Sequence, residues 1–400
     1  MHLLPELKPF NFFGLPLSLG KLDGSPTISF RDLTIQKREN DLVAASFGRG
    51  FFILDDYSAL REFTEENLNK KGKLFKPRTA KWFVPRSNIG NTGSDYYFAD
   101  NPTYGAVFTY HLSDDYKTKR EIRRDKEIEL NKRKSNIPFP GWENLDKERG
   151  EDPAHVVLTI QDTSGKVINK ISKKARKGSS RISWDFTHFN PYAVSSESPR
   201  YNYSGALAKP GTYKASLSLV QNGKVTTLDG PISFETKAIR EGILNGIGFE
   251  EYNRYLKQIS ELYNDISAVE DVFEESLKMQ KAMTNALKKT KIFPGVIEAK
   301  IAILKEDLDK INLSLNGSPS RSEVGERNPA DLNDYLYNAS SGLRNSYGPT
   351  PLHAKSLEMA KQLLSELKTE VIKISKTKIP EIQILLKEAD APYIIGQGIE

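Results

Sequence analysis

The chain has 400 residues, 38% of them hydrophobic, which is enough for two or three domains that each bury a core of their own. Its 58 Lys and Arg residues outnumber its 52 Asp and Glu residues, and the resulting charge of +6 permits weak attraction to polyanions without indicating it. Cysteine is absent, which excludes disulfides, thiolate metal sites and a cysteine nucleophile, and no apolar run reaches the roughly 18 residues that a membrane-spanning helix needs. The first twenty residues lack a basic n-region and do not predict a signal peptide.

Residues 32–56 predict a small antiparallel sheet. Leu33 and Ile35 alternate with polar residues, a polar turn follows, and the runs 42–46 and 51–54 are rich in strand-forming residues. Two or three isolated strands are marginally stable in water. We therefore expect this sheet to belong to a repeated array whose other members are absent from the sequence.

A polar connector at 61–78 leads into a second β-rich region. Strands are predicted at 79–84, 106–112, 155–161, 167–171, 181–186, 211–220, 224–228 and 232–235. Short strands separated by turn signals at this spacing favour an antiparallel sandwich of immunoglobulin or fibronectin type III character. An insertion at 113–153 interrupts the pattern. Its densely charged part, 117–134, predicts an exposed helix or hairpin with mixed-sign ion pairs, and we expect the aromatic residues of 137–142 to pack onto the sandwich.

The composition changes after Gly248 to one with helical periodicity. Apolar residues recur at three- and four-residue spacing over 249–289, and further helices are predicted at 296–313 and 351–378, with a kink or restart at Pro380. Each helix has one apolar stripe to bury, which favours an antiparallel bundle.

Several segments of the sequence resemble the sortilin-like β-propeller proteins of bacteria, a family also described as BNR-repeat or glycosyl-hydrolase-like. RENDLVAASFGRGFFILDD (38–56) and YSALRE (57–62) resemble the last propeller blade. The β-sandwich that follows the propeller in that family is resembled by NPTYGAVFTYHL (101–112), LTIQDTSGKVI (158–168), ISWDF (182–186) and KPGTYKASL (209–217).

The resemblance implies a multidomain fold in four parts. These are a partial β-propeller blade at 1–60, the connector at 61–78, an antiparallel immunoglobulin- or fibronectin type III-like β-sandwich at 79–238 with the charged insertion at 113–153, and an α-helical, three-helix-like bundle at 239–400. It also implies an extracellular, periplasmic or cell-surface location, with an upstream propeller of the same protein as a partner.

Catalytic signatures are not found in the sequence. It contains no nucleophile elbow, phosphate-binding loop, HExxH or EF-hand motif, and Gly246-Ile-Gly248 lacks the third glycine and the setting of a dinucleotide site. His111 and His155 approach one another only if their strands pair, and Asp55-Asp56 is more typical of a turn cap than of an acid/base pair. We therefore predict no catalytic residue, no cofactor and no metal site.

Two features are candidates for binding. The basic residues Lys173, Lys174, Arg176 and Lys177 lie on a predicted hairpin and loop, which favours a solvated surface, with polyanion binding as the alternative. Tyr96 and Tyr97, with Trp142, are candidates for stacking on a sugar, although packing of the loops against the sandwich is the favoured explanation.

The sequence thus favours a non-catalytic scaffolding and binding region of a large exported protein, which braces the propeller and binds a protein or glycan partner. One alternative is a glycan-processing hydrolase whose active site lies mainly in the propeller. A second alternative is polyanion binding through the basic hairpin, although nucleic acid is not the expected partner.

Overall fold

A computed structural model describes residues 27–48, 50–85, 101–191, 193–194, 205–240, 242 and 246–397. The chain divides into two compact units. The first consists of Met1–Phe189 with Ala208–Glu241, and the second of Asn190–Leu207 with Gly242–Glu400. The predicted order, β-rich first and helical second, is confirmed. The four finer domain bounds stay a prediction, and Tyr96 and Tyr97 lie outside the described residues.

The described part of the first unit is mainly β-structure. In chain order its elements are β1 (Phe30–Gln36), β2 (Asp41–Ser46), β3 (Phe51–Leu54), α1 (Glu65–Asn69), β4 (Gly72–Leu74), β5 (Ala80–Trp82), β6 (Ala106–Leu112), α2 (Lys119–Lys132), α3 (Trp142–Arg149), β7 (His155–Gln161), β8 (Val167–Lys174), β9 (Gly178–Trp184), β10 (Gly211–Gln221) and β11 (Lys224–Ala238).

These strands form three sheets with the orders β1-β2-β3, β4-β6-β9 and β5-β11-β10-β7-β8. The pairs are antiparallel except for β5, which runs parallel to β11. The antiparallel character that the sequence predicts is therefore correct for most pairs and wrong for one. A short strand can join the edge of β11 in parallel because the chain reaches it from a distant part of the sequence.

The second and third sheets share a hydrophobic core. Trp184 of β9 lies 5.0 Å from Tyr213 of β10, and Phe108 of β6 lies 4.9 Å from Phe234 of β11, as ring-centroid distances. Alternating burial along β7 and β10 places one face of each strand in this core. The indole N–H of Trp184 donates to the carbonyl of Thr187 at 2.8 Å, so the buried ring leaves no polar group unpaired.

The charged insertion forms the helices α2 and α3. Thr118 caps α2 through a reciprocal hydrogen-bond pair with Glu121. Arg123 of α2 binds Glu148 of α3, with Nε to Oε1 at 2.8 Å, and also Glu127 one turn further along α2. The predicted mixed-sign pairing is confirmed, and it holds the two helices together without a buried core.

The second unit is helical in its described residues. Its elements are α4 (Phe249–Leu287), α5 (Val296–Asn316), α6 (Pro319–Glu323), α7 (Leu332–Ser341), α8 (Pro351–Lys373), a π-helical segment (Ile374–Lys378) and α9 (Ile379–Glu388). The predicted long helix at 249–289 is confirmed as α4. The predicted restart near Pro380 is also confirmed, because α9 begins there after the π-helical segment.

Two tyrosines of α4 fix the core of this unit. The hydroxyl of Tyr255 donates to the carbonyl oxygen of Ala339 or His353, each at 3.0 Å, and the Tyr252 hydroxyl lies 2.5 Å from the carbonyl of Leu207. The helix α7, which sequence patterning does not predict, contributes Leu332 and Ala339 to the same core. In the described residues of either unit, no helix is long and apolar enough to cross a membrane.

Candidate functional site

The three-stranded sheet β1-β2-β3 carries apolar side chains on both of its faces. Residues opposite one another in paired strands point to the same side. The register therefore gives one face formed by Leu33, Ile35, Leu42, Ala44, Phe52 and Leu54, and another that includes Val43, Ala45, Phe51 and Ile53. A sheet with apolar residues on both sides is typical of one that is covered on both sides.

Neither face of this sheet is buried by the residues that the structure describes. Within the described strands no residue of β1, β2 or β3 is buried; Leu33 is 62% exposed and Phe51 is 75% exposed. By contrast, every residue of β6 except Val107 is buried. The order β1-β2-β3 also leaves β1 and β3 as edge strands that pair with no further strand among the described residues.

A row of basic side chains, here called the basic seam and consisting of Arg78, Lys81 and Arg181, ties this sheet to the rest of the first unit. Arg78 Nη1 donates to the carbonyl oxygen of Glu39 at 2.8 Å, and Lys81 Nζ donates to Glu39 Oε1 at 2.6 Å. The hydrogen bond from Lys81 is the main cause that holds the pKa of Glu39 below its ordinary value. The turn between β1 and β2 is thus fixed by charge and not by apolar burial.

Arg181 of β9 binds the same end of the sheet, because the end of β3 lies beside the β1-β2 turn. Its Nη2 donates to the carbonyl oxygens of Asp55 and Asp56, at 2.6 and 2.8 Å. Burial lowers the pKa of this guanidinium, although the nearby carboxylates of Asp56 and Asp55 oppose the shift. Its Nε is buried and has no hydrogen-bond partner among the described residues.

A cleft of about 550 Å³ opens beside the basic seam, within the first unit. Its polar lining is formed by Asp55, Asp56, Arg78, Lys81, Asn101, Thr103 and Arg181, and its remaining lining by Ala80, Phe83, Pro85, Pro102, Tyr104, Gly105 and Val107. Tyr104 packs edge-to-face on Phe83, with 4.9 Å between the ring centroids, and its hydroxyl donates to the carbonyl of Phe83. The lining of the cleft therefore divides by chemistry into two sets of residues, here called the apolar wall and the polar wall.

The adjacent carboxylates at the end of β3 have turn-forming partners. Asp56 has a positive φ of 43°, and its Oδ1 accepts from the hydroxyl of Ser58 at 2.5 Å. The backbone N–H of Asp56 in turn donates to Asp41 Oδ1 at 2.9 Å. These contacts are those of a capped turn, and they also place both aspartates at the cleft.

The structure separates the basic residues that the sequence groups together. Lys173 and Lys174 lie on β8, Arg176 and Lys177 lie in the connection to β9, and β8 and β9 belong to different sheets. Lys174 forms an ion pair with Glu121 of α2, and Lys173 Nζ donates to the carbonyl oxygen of Arg181 at 2.9 Å. Arg176 and Lys177 are exposed. The binding role predicted for this group stays a prediction.

Of the aromatic candidates, Trp142 lies within the described residues. Trp142 is 74% exposed and packs edge-to-face on Phe139, which is exposed as well. The expectation that these aromatics pack onto the sandwich is therefore wrong, because the charged helices α2 and α3 are held by ion pairs and need no apolar anchor. Tyr104 contacts Phe83 and Phe186 instead.

The two strand histidines do not meet. His111 of β6 is buried against Ser179, with 3.0 Å between Nδ1 and Oγ, whereas His155 of β7 belongs to another sheet. Burial lowers the pKa of His111. In the part of the chain that the structure describes, no group of three or more His, Asp or Glu side chains is placed to hold a metal ion.

Comparisons with known proteins were made for the whole chain. No protein-family profile matches it. No curated protein matches it. Among solved structures, the chain is similar to dimeric latent PorU from Porphyromonas gingivalis, with 12% sequence identity and a TM-score of 0.22. The similarity covers 50% of this chain and 12% of the PorU chain, so the matched region spans only a small part of that protein's length, and at this TM-score it carries no argument about fold or function.

Proposed function

We propose that this chain is a non-catalytic scaffolding region in which the β1-β2-β3 sheet is one blade of a sortilin-like β-propeller and the following domains brace that propeller. The observation that carries the proposal is that both faces of this sheet are apolar and exposed, while its turns are tied to the neighbouring β-sandwich by the basic seam.

The two apolar faces favour a propeller over other sheet architectures. In an open sandwich, one face of each sheet packs on the core and the other faces water, so only one face needs to be apolar. In a propeller each blade packs between two others, so both faces are covered. Leu33 on one face and Phe51 on the other are the most exposed of the large apolar residues in these strands, as expected for a blade that lacks its neighbours.

The basic seam supports the bracing role. It binds main-chain carbonyl oxygens of residues 39, 55 and 56 together with the carboxylate of Glu39. The contact therefore holds one end of the sheet and uses none of the apolar side chains of its strands. A contact of this kind fixes the orientation of a blade while leaving both of its apolar faces free for neighbouring blades.

The proposed location is extracellular, periplasmic or at the cell surface, and the proposed partners are the propeller of the same protein and a protein or glycan ligand. This location and these partners rest on the sequence resemblance alone.

The proposal is tested on the protein isolated from its natural source. Antibodies against the second unit would capture the native polypeptide, and peptide mapping would define its length. We expect peptides from further strand repeats that precede residue 1 in the same polypeptide. A native polypeptide of this length alone, monomeric in solution, would contradict the proposal.

The glycan hydrolase alternative is tested on the same native protein with chromogenic glycosides. We expect no turnover. If turnover is found, the double variant Asp55→Asn, Asp56→Asn locates it, because lost activity would assign the chemistry to the turn after β3 and unchanged activity would remove these residues from it.

A further inference from the structure

The cleft beside the basic seam has the size and the two-sided lining of a small-molecule site. Its volume of about 550 Å³ lies within the range of roughly 300 to 1,000 Å³ found for ligand pockets. Strands and anchored turns supply its walls, since Lys81 lies on β5, Val107 on β6 and Arg181 on β9. Groups held on such elements are better positioned than groups on free loops.

The charged side chains of the polar wall already have partners, which are either groups of opposite charge or uncharged polar groups such as carbonyl oxygens. Glu39 binds both Arg78 and Lys81 through its carboxylate, at 3.3 and 2.6 Å. The Arg181 guanidinium is held by two carbonyl oxygens, and Asp56 accepts two hydrogen bonds from Ser58. The polar wall thus offers a ligand individual hydrogen-bond donors and acceptors, and it carries no uncompensated charge.

This balance selects the class of ligand. An anion would gain from the arginines but would meet the carboxylates of Asp55 and Asp56 on the same wall. A neutral polyol meets no such conflict, because each hydroxyl both donates and accepts and can bind an arginine N–H or a carboxylate oxygen equally. Asn101 and Thr103 add further groups that donate and accept.

The apolar wall supplies a surface for the apolar face of a sugar ring. Phe83 is 41% exposed and lines the cleft, and Tyr104 packs edge-to-face with its ring. Pro85 and Pro102 also belong to this apolar wall. An aromatic ring in the same cleft as hydrogen-bonding side chains matches a saccharide, whose C–H face is apolar and whose rim is polar.

We propose that this cleft binds a neutral mono- or disaccharide, with its ring packed on Phe83 and its hydroxyls bound by Arg78, Thr103 and the aspartates at the end of β3. The binding requires no turnover and does not depend on the β1-β2-β3 sheet being a propeller blade.

Saturation-transfer difference NMR on the 400-residue chain tests the site. The neutral probes are D-glucose, D-galactose, D-mannose, N-acetylglucosamine, lactose and cellobiose, and the acidic probes are D-glucuronate and benzoate. We expect ring-proton signals from at least one neutral probe, with little change as the salt concentration rises, because no net charge is neutralised. Signals from the acidic probes alone, fading with salt, would overturn the proposal, and so would no signal from any probe.

A matched pair of variants locates the binding. Phe83→Ser removes the apolar wall and should weaken the responding sugar about tenfold or more. Phe139→Ser removes an exposed phenylalanine that also packs edge-to-face on an aromatic neighbour but lies outside the cleft, and it should leave binding unchanged. Equal binding by both variants would overturn the assignment.

A second pair covers the case in which Phe83→Ser does not fold. Arg78→Gln should weaken the sugar, whereas Arg38→Gln, which removes another cation bound to Glu39 but not one that lines the cleft, should not. Unweakened binding by Arg78→Gln would remove the polar wall from the site.

Discussion

The β1-β2-β3 sheet and the β4-β6-β9 sheet lie in the same compact unit and have the same number of strands, yet their burial is opposite. In β6 nearly every side chain is buried, and the core beside it contains Trp184 and Phe108, each with 0% of its surface exposed. In β1-β2-β3 no described strand residue is buried.

The difference shows that apolar sequence and apolar burial are separate properties. The strands β2 and β3 are as rich in apolar residues as β6, so their exposure does not result from a polar sequence. The sheet is instead fixed by hydrogen bonds and ion pairs at its turns. A sheet that has apolar residues on both faces and is held only at one end is built to receive neighbours.

The largest expected effect is the loss of stability when a buried aromatic residue is replaced, and replacing an exposed one provides the comparison. Trp184→Ala should lower the free energy of unfolding of the first unit by about 3 to 5 kcal/mol, because it leaves a cavity in the shared core. Phe51→Ala should change it by less than about 0.5 kcal/mol, because its side chain is already exposed. Denaturant unfolding followed by tryptophan fluorescence and circular dichroism measures both. A large loss from Phe51→Ala would mean that this face of the sheet is covered within the chain.

The next largest expected effect tests whether the basic seam holds the β1-β2-β3 sheet in place. Arg181→Gln removes the donor to the carbonyls of Asp55 and Asp56 and should cost about 1 to 3 kcal/mol. Amide hydrogen exchange should rise in residues 41–56 and stay unchanged in β10 and β11. Arg38→Gln, which removes an exposed ion pair to the same sheet, is the control and should leave exchange unchanged. Uniform acceleration across the unit would show that Arg181 stabilises the sandwich and not the docking of the sheet.

A pH titration distinguishes the β1-β2-β3 sheet from the rest of the first unit, because different groups titrate in each. Burial lowers the pKa of His188 from 6.5 to about 4. Between these values the unfolded chain binds a proton that the folded chain does not, so the stability of the unit should fall as the pH drops from 6.5 to 4. Partial contact of His188 with solvent keeps the slope below the limit of about 1.4 kcal/mol per pH unit for one proton. His188→Phe should flatten this part of the profile, whereas an unchanged slope would contradict the assignment to His188.

Glu39 titrates in a lower window. Its lowered pKa stabilises the docked sheet above the ordinary value of 4.5, and this contribution is lost as the pH falls through the lowered value. Exchange of β1-β2-β3 should therefore rise only below about pH 4.5, after the decline due to His188 has begun.

The smallest expected effect concerns the basic residues at the end of β8. Replacing Lys173, Lys174, Arg176 and Lys177 together with Gln should change stability by less than about 1 kcal/mol, because exposed ion pairs contribute little. Heparin affinity should be low already and should decrease only slightly, since Lys174 is paired with Glu121. Strong retention that is lost in the variant and falls steeply with salt would support polyanion binding instead.

The parts of the fold that follow from local periodicity could be predicted from the sequence. The helix α4 and the strands β6, β7 and β10 have sustained apolar patterns, which indicate each element without knowledge of the tertiary structure. The helix α7 has only 10 residues, too few for a sustained apolar pattern, and it follows a polar loop. Its burial therefore depends on the helices around it. The exposed position of Trp142 depends on ion pairs between α2 and α3, which a single sequence does not reveal.

The candidate site was only partly predictable for the same reason. Asp55 and Asp56 stand out as adjacent acids, but Arg78 and Arg181 lie far from them in sequence and meet them only through the packing of β9 and the connector. Arg181 lies at the end of the basic stretch 166–181, and nothing in that local pattern distinguishes its role from that of the other basic residues. The aromatic wall at Phe83 and Tyr104 likewise forms by contact between distant segments.

The central claim is that the β1-β2-β3 sheet requires neighbours on both faces, and hydrogen–deuterium exchange tests it most directly. The measurement compares the isolated 400-residue chain with the native protein. We predict that the amides of β1, β2 and β3 exchange much faster than those of β6 and β9 in the isolated chain, and become protected in the native protein. Equal protection of these two groups of strands in the isolated chain would contradict the account.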